Sequence, residues 1–115
     1  MIYETIEEIS ISEFKEKAER FDGGIELSRL LLGLAASDDD WKAVQGIFIE
    51  YLSHSDVGII ATAMLALSHL ARLSGRLEKD IVIEKLLETV EKHPSLAGRL
   101  EDVLDDLSVI PLRSD

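Results

Sequence analysis

Along most of the chain apolar residues return at spacings of three and four rather than two, a period that predicts helices. Residues 1–11 mix isoleucine with glutamate without a clear period and are expected to form an N-terminal arm. Ser12 precedes Glu13, Phe14 and a charged stretch reaching Phe21, which predicts a first helix with Ser12 as its N-cap. Asp22-Gly23-Gly24 ends it, because glycine tolerates the left-handed cap conformation. Ile25, Leu27, Leu30, Leu31, Leu34 and Ala35 mark the buried face of a second helix over 25–36. A third helix over 41–53 carries Val44, Ile47, Phe48, Tyr51 and Leu52 on one stripe. The turn His54-Ser55-Asp56 offers Ser55 or Asp56 as the next cap. The fourth helix, over 57–73, is apolar nearly all round and must be covered on more than one side, and Ser74-Gly75 closes it. Ile81, Ile83, Leu86, Leu87 and Val90 are expected to face inward on a fifth helix over 78–92. His93-Pro94 stops that helix, since the residue before proline disfavours helical backbone. Ser95 can cap a sixth over 95–107, where Leu96, Leu100, Val103, Leu104 and Leu107 are apolar. The tail, 109–115, contains Pro111 and is expected to fray or to pack back in extended form.

The helices pair. The third and fourth make a unit of about 36 residues, the fifth and sixth a second, and the first two a degenerate third. Such repetition predicts an all-α fold, an α-solenoid of about six helices in two to three helical hairpins, each pair covering its neighbour's apolar face. The middle pair should hold the most apolar helix, and the fourth helix meets that expectation. A length of 115 residues suits a single domain over 1–115.

Composition narrows the function. Acidic residues outnumber basic ones 23 to 12, for a formal charge of −11, so direct nucleic-acid binding is not expected. The absence of cysteine excludes a disulfide framework, a thiolate metal site and a cysteine nucleophile. No basic segment leads into an apolar run at the start, and the most apolar stretch, 57–67, falls short of the about 20 residues that span a bilayer. A cytoplasmic protein without membrane contact is expected.

His54, His69 and His93 stand in no HExxH or ExxH arrangement, and no phosphate loop, GxSxG elbow or catalytic triad order is present. Neither an enzyme nor a cofactor or metal is therefore expected. His54 and His93 fall near helix ends, where a cation or donor favours the last carbonyls. His69 lies three residues before Arg72, so the two share a face, either as a polar pair at the core rim or as a partner-binding edge. Glu101, Asp102, Asp105 and Asp106 place like charges at destabilising spacing. A solvated face, salt bridges to Arg72 or Arg99, a surface for a basic partner, or a divalent cation would each account for them. The cation is the weakest account, because one helix seldom completes calcium's oxygen shell. Asp38, Asp39 and Asp40 suit the start of the third helix, and Trp41 beside them raises a binding patch as the alternative.

Ser55-Asp56-Val57 followed by Ala63-Met64-Leu65-Ala66-Leu67-Ser68-His69-Leu70-Ala71-Arg72 resembles a HEAT-type repeat, in which an Asp-Val turn leads into a helix packed through alanine and leucine. Three ordered stretches are similar to those of small acidic bacterial HEAT-like proteins: Asp38-Asp39-Asp40-Trp41-Lys42-Ala43-Val44-Gln45, Leu67 to Arg72, and Glu101-Asp102-Val103-Leu104-Asp105-Asp106. The likeness runs from about 25 to 110. Gly58 departs from it, where such a helix often has a charged residue, while Gly75-Arg76-Leu77 fits. The resemblance implies a HEAT-like solenoid and an immunity protein of the contact-dependent inhibition type. Its partner would be a cognate basic toxin domain, such as a nuclease. Asp38, Asp39, Asp40, Glu101, Asp102, Asp105 and Asp106 would bind it, with Trp41, His69 and Arg72 as anchors. A non-catalytic scaffold for another cytoplasmic complex is the alternative.

Overall fold

The computed structural model describes residues 7–113, and among them every regular element is helical. The α-helices are α1 (Ile11–Ala18), α2 (Gly24–Ala35), α3 (Trp41–Tyr51), α4 (Val57–Ser74), α5 (Lys79–Lys92) and α6 (Ala97–Val109), with a 3-10 turn at Pro94–Leu96 before the last.

Side-chain caps start three of the six α-helices, α1, α3 and α4. The Asp40 carboxylate accepts from Lys42 N–H at 3.1 Å, and that of Asp56 from Gly58 N–H at 2.8 Å, so Asp56 rather than Ser55 starts α4. Gly75 closes α4 with φ of 69°, the left-handed conformation that glycine adopts without penalty. The N-cap of α1 is Ser10, whose hydroxyl accepts from Glu13 N–H at 3.1 Å; the expected cap, Ser12, is exposed inside the helix. A distant acceptor explains the earlier start: Ile11 N–H donates to Asp39 Oδ2 at 2.6 Å. Ser95 is likewise not a cap. It lies in the 3-10 turn that carries Leu96 into the core, and α6 begins at Ala97.

Helix α4 sits at the centre and packs against α2, α3 and α6, while α1 packs on α2 and α5 on α6. The assembly is nearly isometric, 33 × 31 × 31 Å. Ile59, Ile60, Ala63, Met64, Ala66, Leu67, Leu70 and Ala71 of α4 are all buried. The helix runs 18 residues, since His69 and Arg72 interrupt the apolar run without ending the helix; by length and composition alone it could cross a membrane. Its small alanines let neighbours approach on several sides, as its all-round apolarity predicts.

The peripheral helices depart from expectation. Ile25, Ile81 and Leu87 are exposed rather than inward, at 63%, 45% and 51%. Ile25 stands in the first turn of α2, outside the covered stretch. Helix α5 is covered on one side only, so a narrow stripe of Val82, Leu86 and Thr89 faces the core. Residues 1–6 of the expected arm lie outside the described residues, but its last part docks on α2. Ile9 is buried there, and its N–H donates to Gly33 C=O at 3.3 Å. The close approach requires glycine, because a Cβ at Gly33 would run into the Glu7 carbonyl. At the other end the chain packs back in extended form, with Arg113 N–H donating to Gly75 C=O at 2.7 Å.

Candidate functional site

The acidic run of α6 divides by helical geometry. Asp102 and Asp106 turn toward α4, where they line a small cavity of about 50 Å³ with Ala61, Met64, Leu65 and Arg99. Glu101 and Asp105 are exposed on the helix surface. Asp106 is held from two sides: it accepts from Ser68 Oγ at 2.8 Å and pairs with Arg72 at 3.4 Å. Ser68 is fully buried, so Asp106 supplies the acceptor its hydroxyl needs in the core. The expected salt bridge to Arg72 thus forms through one member of the run. Arg99 lines the same groove as Asp102 without forming an ion pair among the described residues.

His69 sits half-buried beside this cluster. Its burial holds the imidazole pKa below the ordinary 6.5, Arg72 lowers it further, and Asp106 acts in the opposite direction. As pH falls, the unfolded chain therefore binds this proton before the folded one does. The stability associated with neutral His69 is complete above 6.5 and is lost as pH falls through 6.5 toward the folded value. Thermal melts between about pH 7.5 and 5.5 should show a falling melting temperature that His69→Gln flattens. An unchanged slope in that variant would exclude His69 as the source.

The first acidic run serves the fold. Asp39 takes the Ile11 N–H and donates its own N–H to Ser37 Oγ at 2.9 Å, and Asp40 caps α3. Asp38 is exposed, and Trp41 is half-buried against the core as the first residue of α3. These residues are tied to α1 and α3, whereas the α6 run is tied to α4. The two runs are therefore anchored on different helices.

Two features were not legible as sites in the sequence. Gln45, 3% exposed, donates from Nε2 to Glu78 Oε1 at 2.9 Å and accepts from Glu78 N–H at 2.8 Å, which pins the start of α5 to α3. A polar residue between Val44 and Phe48 was the available signal. The second is the outer end of α3. Tyr51 meets Phe14 edge-on at 5.8 Å and stacks on His54 at 6.0 Å. Burial raises the Tyr51 phenol pKa and Glu50 adds to that, so the ring is neutral at physiological pH. The His54 side chain differs from expectation: rather than donating to the end of α3, it accepts the Asp56 N–H on Nδ1 at 2.9 Å. The turn into α4 leaves that amide without a backbone acceptor, and the ring nitrogen satisfies it. His93 is the C-cap residue of α5 and lines a hollow of about 420 Å³ between α3 and α5.

Among the described residues no group of three or more His, Asp or Glu is placed to hold a metal ion. No protein-family model, curated protein or solved structure matches the chain.

Proposed function

We propose that this is a non-catalytic HEAT-like binding protein that neutralises a basic protein partner, in the manner of an immunity protein against a bacterial toxin. The observation that carries the binding role is the α6 surface. Glu101, Asp102 and Asp105 are exposed there, and their carboxylates have no hydrogen-bond or ion-pair partner among the described residues. Like charges at this spacing cost helix stability, and a cationic partner would offset that cost. Exposed Leu65 and Leu73 of α4 supply apolar contact, with His69 and Arg72 at the same edge. Asp38 to Trp41 contribute less, because Asp39 and Asp40 are engaged in the fold.

The toxin assignment rests on the sequence resemblance. A nuclease must attract phosphate, so its cleft is cationic, and a protein of charge −11 is steered to it. The succession α2, α4, α6, with each odd-numbered helix paired to the next, supports the HEAT-like description. The protein acts in the cytoplasm, before any toxin it meets can reach its substrate.

Immobilised wild-type protein and a Glu101→Gln/Asp102→Asn/Asp105→Asn variant would be exposed to lysate of the source strain. The wild type should retain one basic polypeptide, released by about 0.3 M salt, whose nuclease activity it inhibits. The variant should retain at least about tenfold less, since rim charges govern association. Equal retention by both proteins would reject the acidic face. Retention of a stable multi-subunit complex would replace the toxin with a scaffold role.

A further inference from the structure

Three hollows on the α1, α3 and α5 side of the molecule meet at Glu50. The one between α1 and α3 measures about 360 Å³. Phe14, Ala18, Ile47 and Tyr51 give it an apolar and aromatic lining, while Lys15, Glu19 and Glu50 are exposed around it. Two carboxylates thus oppose one ammonium. Neither Glu19 nor Glu50 has an ion-pair partner among the described residues, and Lys15 closes on neither. Phe14, itself buried, holds Tyr51 edge-on, so the tyrosine ring is ordered before any ligand arrives.

We propose that the α1–α3 hollow is a receptor for one guanidinium group, the side chain of an arginine on another polypeptide. Its planar cation would lie against Tyr51 and donate hydrogen bonds to the Glu50 carboxylate, and Glu19 would add to the field. A neutral tyrosine ring attracts a cation through its quadrupole, and a fork of N–H donors matches a carboxylate better than a point charge does. The aliphatic stem would cover Ala18 and Ile47. This site is built from α1 and α3 rather than α6 and stands independently of the function proposed above.

Titration of the full chain with N-acetyl-arginine amide, followed by amide NMR, tests it, with N-acetyl-citrulline amide as the neutral control. Saturable shifts should centre on Ala18, Ile47, Glu50 and Tyr51, with a dissociation constant in the millimolar range. Glu50→Gln should raise that constant at least fivefold. Lys15→Met should lower it at least twofold, because it removes the resident cation. Both positions are exposed, so the variants should fold, and their spectra report whether they do. Shifts centred on α6, an equal response to citrulline, no saturable shift, or a Glu50→Gln variant that binds as well as the wild type would each overturn the proposal.

Discussion

Phe48→Ala is expected to destabilise the protein by about 3–5 kcal/mol, measured by urea unfolding followed by circular dichroism. Phe48 is fully buried on α3, the helix that packs on the central α4. Truncation removes its transfer energy and leaves a cavity that the neighbouring helices fill only in part. A domain of this size has about 5–15 kcal/mol in total, so the variant would keep a small remainder or unfold. Leu87→Ala is the control: its side chain is 51% exposed on α5, and the expected change is within about 0.5 kcal/mol. Comparable losses at the two positions would contradict this placement of α3 and α5.

Asp106→Ala is expected to cost about 1–3 kcal/mol, chiefly by leaving the Ser68 hydroxyl buried without its acceptor. Arg72→Ala should cost less than about 1 kcal/mol, because the Arg72–Asp106 pair is partly exposed to solvent. The double variant Ser68→Ala/Asp106→Ala should recover much of the loss, since it removes both partners of the buried bond. A double-mutant cycle separates the two effects. Additive losses would mean that Ser68 and Asp106 are not coupled, and that Asp106 is only one more charge on the α6 surface.

This pair shows how far the candidate site could be read in advance. The spacing of Glu101, Asp102, Asp105 and Asp106 was visible, as was the shared face of His69 and Arg72. That Asp102 and Asp106 would turn toward α4, with Asp106 alone of the four taking partners there, depends on the rotation of α6 against α4. No local pattern encodes that rotation. The Asp38 to Asp40 run teaches the converse. Its place before α3 predicts capping, which Asp40 performs, while Trp41 beside it raises a binding patch; Asp39 is instead occupied by an amide 28 positions away. The Tyr51 hollow left no sign in the sequence at all, because its walls come from two helices that are not consecutive.

What the sequence determined by itself was everything governed by a few neighbouring residues. The period of three and four identified six helices. Asp40, Asp56 and Gly75 set their own boundaries through bonds or backbone conformations that close within a turn. The all-round apolarity of α4 announced the central helix, because only a helix covered on several sides can afford it. The tertiary structure decided what depends on a partner far along the chain. It selected Ser10 over Ser12 as the first cap and exposed Ile81 and Leu87 while burying Val82 and Thr89. It also tied Gln45 to Glu78 and Ser68 to Asp106. Helical periodicity reveals that a face exists, whereas the width of its cover and the partner of each buried polar atom are set by the helices packed against it.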